Sequence, residues 1–276
     1  MDPKPRSGFL AAPASASGSL RLPGKREGEF PRLDDHLVQP EVTRDEMVRG
    51  RRVVALPANP PHADRHSDLD YVIRGHAAKG TVVSTDMITR LDEGSDFATD
   101  TSVRKEGIDP RTSERYLEEL AFEVVSSQSM RDIRERAEDL TKRGVRRLFA
   151  IFVKTNEVRE WSTASGGWIT LPPDAVIEDP MLARPLEVRA LLDGAAADDA
   201  VVEALASKGN PRLAQREAAE HERGLERGRI EAIETACELL GIPLGPREHA
   251  RLSELDAAAL ARLLARIKLE RRWPSD

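Results

Sequence analysis

The chain has 276 residues, of which 39% are hydrophobic and 33% are charged, a composition that allows one large domain or two smaller ones. No apolar run approaches the about 18 residues that a membrane-spanning helix needs, so we expect no membrane association. The net charge of −6 excludes a general polybasic attraction to nucleic acid, and the single cysteine excludes an internal disulfide and a cysteine-based zinc cluster. A lone cysteine fits a reducing compartment, and we expect a cytoplasmic protein.

Three regions differ in composition. Residues 1–38 are rich in Pro, Gly, Ser and Arg and hold few large apolar side chains, which predicts a disordered tail because burial could not offset the entropy of ordering it. Residues 39–193 contain the β-branched runs of a sheet and predict a folded domain. Residues 194–276 are dominated by Ala, Glu, Arg and Leu and predict a helical, partly coiled-coil-like extension.

The first half of the folded domain alternates between short helical and extended patterns. Thr43 and Glu46 have the spacing of a capping box, which predicts a short helix at this point. Apolar residues at helical spacing predict a second helix over 63–79. Strands are predicted over 51–56, 81–84 and 97–103.

The second half of the folded domain contains the most apolar segments. The run 119–127 is almost continuously apolar and has the length of a strand buried on both faces. A helix is predicted from the capping-box pair Ser129 and Asp132 to the glycine at position 144. A further strand and a hairpin are predicted over 147–153, 158–161 and 168–171. Strand, helix, strand and hairpin together indicate a mixed α/β sheet flanked by helices.

The extension contains one long, highly charged helix over 212–240 and a shorter amphipathic helix over 255–269. The apolar stripe of the long helix is too narrow for the helix to be stable alone in water. We therefore expect it to pack against a second chain or to fold back onto the folded domain, and a homodimer is the simpler arrangement.

Two acidic residues interrupt predicted strands and are the candidates for chemistry. Glu123 lies in the centre of the apolar run, where a carboxylate costs several kcal/mol unless it is paired or binds a cation. Asp100 lies in another strand, and two carboxylates on neighbouring strands would suit Mg²⁺. The structural alternative is an edge position or an ion pair with an arginine.

The order of these features resembles the Uma2 (DUF820) family, whose members have the PD-(D/E)xK restriction-endonuclease-like fold. The resemblance covers about residues 41–192. It is carried by the strand 51–56, His66 at the head of a helix, Asp100, the run Glu123-Val124-Val125-Ser126, and Asp132, Arg136, Leu140, Gly144 and Val145 in step along one helix.

The resemblance implies an endonuclease that hydrolyses DNA phosphodiester bonds with Mg²⁺ or Mn²⁺. Asp100 and Glu123 would hold the metal, and Glu46 is a candidate third acidic ligand, although an acid early in a helix can also serve only to favour the helix dipole. Arg136 occupies the place of the family's helix lysine and would stabilise the transition state.

The departures from the family pattern support a second hypothesis. Thr99 replaces a proline that shapes only the backbone, and Val125 occupies the nominal lysine position of the signature. Arg136 replaces the lysine and cannot take part in proton transfer, and Leu140 replaces a tyrosine. The changes at Arg136 and Leu140 favour a catalytically impaired nuclease fold that acts as a binding or assembly module through its helical tail. The retained Asp100 and Glu123 favour the endonuclease, since two embedded acids are costly without a metal.

The remaining polar residues have mainly structural interpretations. His62 and His66 are interpreted as capping or surface residues rather than ligands. Trp161 and Trp168 are expected to pack in the core or at an interface. Basic residues near the proposed site could meet DNA phosphates, although interleaved acids also fit a solvated helix face; they are Arg134, Arg136, Lys142, Arg143, Arg146 and Arg147.

Overall fold

The computed structural model describes residues 30–39, 45–54 and 59–274. The strands are β1 (Asp45–Val48), β2 (Arg51–Val54), β3 (Thr81–Arg90), β4 (Asp96–Lys105), β5 (Ile108–Asp109), β6 (Glu114–Arg115), β7 (Glu118–Val125), β8 (Arg147–Phe152), β9 (Glu157–Ser162), β10 (Gly167–Leu171), β11 (Val176–Ile177) and β12 (Leu186–Glu187). The α-helices are α1 (Pro60–His76), α2 (Met130–Arg143), α3 (Gly194–Ser207), α4 (Pro211–Leu240), α5 (Pro246–Glu254) and α6 (Ala257–Glu270).

Eight strands form one mixed sheet in the order β10-β9-β8-β7-β4-β1-β2, with β3 also paired to β4. The strands β7 and β8 are parallel, and α2 is the crossover that joins them. The other pairs of this sheet are antiparallel. The predicted mixed α/β class is confirmed, and the architecture is consistent with the expected restriction-endonuclease-like fold.

Helices cover both faces of the sheet. On one face, α1 contributes Leu69, Val72 and Ile73 to the larger core cluster. On the other face, α2 contributes Ala137 and Leu140 to a second cluster. Burying both faces explains why β7 and β8 are almost continuously apolar.

The predicted helix at Glu46 is wrong, because Glu46 lies in β1 and pairs with Val53 of β2. The two strands are joined by Arg49 and Gly50, which both have positive φ angles, 50° and 75°. Such a two-residue turn matches the twist of a hairpin and holds Glu46 in an extended conformation. Thr43 and residues 55–56 lie outside the described residues, and the predicted strand is confirmed over Arg51–Val54.

The end of the segment predicted as a tail packs on the folded domain. Leu33 is buried, and its carbonyl accepts a hydrogen bond from Arg90 N–H at 2.9 Å. The Leu37 N–H donates to the Asp96 carboxylate at 2.6 Å, and Arg143 donates to the Pro31 carbonyl at 3.0 Å. Disorder is therefore wrong for residues 30–38, and residues 1–29 lie outside the described residues.

The first helix of the predicted extension belongs to the core of the sheet domain. Ala197 of α3 is part of the larger core cluster. A Cβ atom added at Gly75 of α1 would lie 2.7 Å from Val201 Cγ2, so the two helices are in close contact. We therefore place the start of the extension after α3 rather than at residue 194.

The remaining helices form a small core of their own. Ile233 and Cys237 of α4 pack against Leu252 of α5 and against Leu260 and Ile267 of α6. The apolar side of the long helix thus packs on α5 and α6 and not, as predicted, on the sheet domain, while its residues 214–225 are exposed. Nothing in the part of the chain that is described tests the expected homodimer. Within the same residues, no helix combines the length and apolar character required to cross a bilayer.

Candidate active site

Three acidic side chains form a row across neighbouring strands. In the antiparallel pair of β4 and β7, Thr101 lies opposite Phe122, which places the preceding Asp100 opposite Glu123. In the pair of β3 and β4, the partners on either side place Asp86 opposite Asp100. Asp86 has a positive φ angle of 49°, so the regular strand alternation is interrupted there, and what the three acids share is that they line one cleft.

The row borders an open cleft of about 1320 Å³. Its wall combines β1–β4, the end of β7, and the first turns of α1 and α2. The lining includes Glu46, Asp86, Asp100, Glu123 and Arg136, together with Ser126, Ser127 and Gln128 after β7. The sequence-predicted residues are therefore brought together at one concave surface.

Glu123 is the least satisfied of these acids. Its side chain is buried, and its Oε1 atom has no hydrogen-bond partner among the described residues. The pKa of Glu123 is raised to about 8. Burial is the largest cause, the charge of Arg136 opposes it, and the charges of Asp100, Glu46 and Asp86 add to the increase. With this pKa the acid is mostly protonated at pH 7 unless a further cation binds beside it.

Arg136 is the charged group nearest to Glu123 and is held by several contacts. Its Nη1 lies 2.8 Å from Glu46 Oε2, its Nη2 donates to the Ala98 carbonyl, and its guanidinium stacks over the Phe97 ring at 4.1 Å from the centroid. The distance from Nη2 to Glu123 Oε1 is 3.9 Å, too long for a hydrogen bond. Arg136 thus compensates Glu46 fully and Glu123 only partly.

Glu46 has both carboxylate oxygens engaged by protein groups. Oε2 pairs with Arg136, and Oε1 accepts the Ala98 N–H at 2.9 Å. Glu46 therefore reaches the predicted cleft, but from a strand rather than from a helix. In this arrangement it positions Arg136, and its role as a third metal ligand stays a prediction.

Asp100 connects the acidic row to the head of α1. Its Oδ2 atom accepts the Val124 N–H at 2.5 Å, which orients the carboxylate. Its Oδ1 atom lies 3.9 Å from His62 Nε2, and its backbone oxygen lies 2.9 Å from His66 Nε2. Asp100 thus contacts β7 on one side, next to Glu123, and the two histidines of α1 on the other.

The two histidines were missed as site residues by the sequence interpretation. Both are half-buried and line the cleft, and the ring of His66 contacts the Asp100 carbonyl. Their spacing of four residues at the head of a helix puts them on one face, which is the signal that could have identified them. Burial lowers the pKa of His66, but the Asp100 hydrogen bond and the charges of Asp100, Asp86 and Asp70 outweigh burial and raise it.

The predicted basic residues mostly make ion pairs and carbonyl hydrogen bonds within the chain. Arg146 binds Asp179 at 2.8 Å, and Arg147 binds Glu160 at 2.7 Å. Arg143 donates to a carbonyl of the N-terminal segment, and Arg134 donates to the Gly166 carbonyl at 2.6 Å. Of the six predicted basic residues, only Arg136 lines the cleft.

Two other side chains are explained by packing. Trp161 and Trp168 pack edge to face with ring centroids 5.3 Å apart, in agreement with the core interpretation. Leu140 is fully buried in the cluster beneath α2, so an apolar side chain fits that place.

No protein-family model and no curated protein matches the sequence. Among solved structures, the chain is similar to one from Anabaena variabilis, described as a "putative nuclease belonging to DUF820", with 15% sequence identity and a TM-score of 0.45. The similarity covers 54% of this chain and 89% of that chain. DUF820 is also the family that the sequence resembles.

Proposed function

We propose that the chain is a metal-dependent nuclease that hydrolyses phosphodiester bonds in DNA, with Mg²⁺ or Mn²⁺ as its cofactor. The observation that carries this proposal is the buried Glu123 carboxylate, which has an oxygen without a hydrogen-bond partner among the described residues. Burying a carboxylate without a partner is costly, and a bound cation would remove that cost.

Glu123 and Asp100 would hold the metal. They lie on the neighbouring strands β4 and β7, one residue beyond the Thr101–Phe122 pair, and both line the cleft. Carboxylate oxygens with open positions for water and phosphate oxygens are the ligands that Mg²⁺ prefers. A bound metal would supply Lewis-acid polarisation of the phosphate and a lowered pKa of the attacking water.

Arg136 would contact the scissile phosphate. Its guanidinium is held at the cleft wall by Glu46, Ala98 and Phe97, which fixes its direction before substrate binds. The remaining N–H groups can donate to phosphate oxygens. Because an arginine stays protonated, it can stabilise charge but cannot remove a proton from water.

A binding role without turnover is the second candidate. One specific observation favours it: the guanidinium of Arg136 already lies between Glu46 and Glu123, at 2.8 and 3.9 Å, and so supplies part of the positive charge that a metal would bring. In that case the exposed part of α4 would provide the contact surface.

A cleavage assay separates the two candidates. Supercoiled plasmid is incubated with the wild-type chain, Glu123→Gln and Glu119→Gln, in Mg²⁺, Mn²⁺ or EDTA. Glu119 is a matched control, because it lies on the same strand and pairs with Lys105 and Arg146 away from the cleft. We expect nicking that requires metal, is lost in Glu123→Gln and persists in Glu119→Gln. No cleavage by the wild-type chain with either ion would favour the binding role.

A further inference from the structure

A second set of metal-ligating side chains lies beside the acidic pair. One ring nitrogen of His62, one of His66 and one carboxylate oxygen of Asp100 all lie within 4.8 Å of one another. The two imidazole rings meet edge to face with centroids 5.9 Å apart. Both rings line the cleft that contains Glu123.

We propose that His62, His66 and Asp100 form a second metal position, which selects a first-row transition ion such as Zn²⁺ or Co²⁺ over Mg²⁺. Imidazole nitrogen suits these ions, whereas Mg²⁺ prefers an all-oxygen octahedral shell. The inference extends the proposed nuclease site through the shared Asp100, and it is tested by metal binding, without cleavage.

The spacing on α1 gives the histidines a suitable arrangement. Residues four apart lie on one helical face, which is the spacing of the histidine pair in helical zinc sites. Two histidines and one carboxylate also make three protein ligands, and a catalytic zinc site has three protein ligands and one open position. The open cleft would leave that position accessible.

His66 has polar partners of the kind that orient a metal-ligating histidine. Its Nε2 lies 2.9 Å from the Asp100 carbonyl and 3.8 Å from Asp70 Oδ2. Asp70 is itself oriented by Thr101, whose hydroxyl donates to Oδ1 at 2.5 Å. Ligating histidines commonly have a carbonyl or carboxylate as the partner of the second ring nitrogen, which fixes the orientation of the ring. Because Nε2 of His66 has these partners, Nδ1 would be its ligating nitrogen.

Helix capping does not explain the two rings. The helix is capped by the Asn59 side chain, which accepts the His62 backbone N–H at 3.1 Å, so capping needs no imidazole. The partial positive charge of a helix N-terminus disfavours a bound cation. Asp70, Asp86 and Asp100 supply the negative charge that would offset it.

The test is a titration of the full-length, tag-free chain, stripped of metal with EDTA that is then removed. Co²⁺ binding is followed by visible absorption, and Zn²⁺ and Mg²⁺ binding by calorimetry. We expect Co²⁺ and Zn²⁺ to bind to the wild-type chain, and affinity to fall by at least about 10–100-fold in His62→Ala and in His66→Ala. The control is His221→Ala, which removes an exposed histidine of α4 and should leave affinity unchanged.

Circular dichroism establishes that each variant is folded. If His66→Ala does not fold, His62→Ala carries the test, since its ring makes only the longer contacts of 3.9 Å to Asp100 and 5.9 Å to His66. No Co²⁺ or Zn²⁺ binding, or unchanged affinity in His62→Ala, would overturn this inference. Mg²⁺-dependent cleavage without Co²⁺ binding would overturn only the second metal position. Co²⁺ binding without cleavage by any ion would overturn only the nuclease proposal.

Discussion

Replacing Glu123 by glutamine should make the metal-free protein more stable at neutral and alkaline pH. The side chain is buried, and its pKa is raised from 4.5 to about 8, with burial as the largest cause. Between these two values the folded state holds a proton that the unfolded state has lost. The unfolding free energy of the wild-type chain therefore falls as the pH rises through this window.

The magnitude follows from one proton. A single group changes the unfolding free energy by at most about 1.4 kcal/mol per pH unit, so the contribution of Glu123 should fall by up to about 3 kcal/mol between pH 5.5 and 7.5. Glutamine is uncharged throughout this range and keeps nearly the same shape. The advantage of the variant over the wild-type chain should therefore grow by a similar amount.

Urea denaturation at pH 5.5, 6.5 and 7.5, in EDTA, measures this effect. Taking the difference between variant and wild type cancels the titration of other groups, among them His66 with its raised pKa and the buried His76 with its lowered pKa. Glu119→Gln is the control and should show no such growth. A pH-independent difference for Glu123→Gln would refute the buried, uncompensated state of this carboxylate.

Three further substitutions test the site and the packing. Arg136→Lys should keep the fold and raise metal-dependent cleavage by about 10²–10⁴-fold, because a lysine can shift its pKa and take part in proton transfer; lower activity than the wild type would instead make arginine the working residue. Gly75→Ala should destabilise the chain by about 1–3 kcal/mol in urea denaturation, because the new Cβ would lie 2.7 Å from Val201 Cγ2. The control Gly224→Ala has open space around it and should be neutral or stabilising. Equal effects of the two substitutions would contradict the contact of α1 with α3. Leu33→Ala should lower the free energy of unfolding by about 2–5 kcal/mol, because Leu33 is buried, and Leu37→Ala, at an exposed position, should lower it much less. Similarly small losses for both variants would show that the N-terminal segment does not contribute to the core.

The sequence predicted those features that depend on local pattern. Such local patterns are the apolar run around Glu123, the capping-box spacing at the start of α2 and the helical spacing of apolar residues in α1. The corresponding strand and helices are observed. Glu123 itself was identifiable because a carboxylate interrupts a strand that is otherwise apolar. Its placement near Asp100 depends on the pairing of β4 with β7, which local pattern alone does not determine.

The errors arise where tertiary contacts outweigh a local pattern. Thr43 and Glu46 have capping-box spacing, but the Arg49-Gly50 turn and pairing with β2 place Glu46 in a strand. Arg146 was considered part of a possible DNA-binding surface. Its partner Asp179 is distant in sequence, so local pattern does not reveal the ion pair. The histidines of α1 look like surface residues until the fold brings Asp100 to them.

Proton-linked binding of Mn²⁺ tests the central claim, that Glu123 and Asp100 hold a divalent metal, most directly. At pH 7 a group with a pKa of about 8 is mostly protonated, so metal binding should release most of one proton from Glu123. Calorimetry in two buffers with different ionisation enthalpies measures this number. We expect Glu123→Gln to bind Mn²⁺ more weakly and to release about one proton fewer than the wild-type and Glu119→Gln chains. Equal affinity and equal proton release in all three proteins would contradict the metal site.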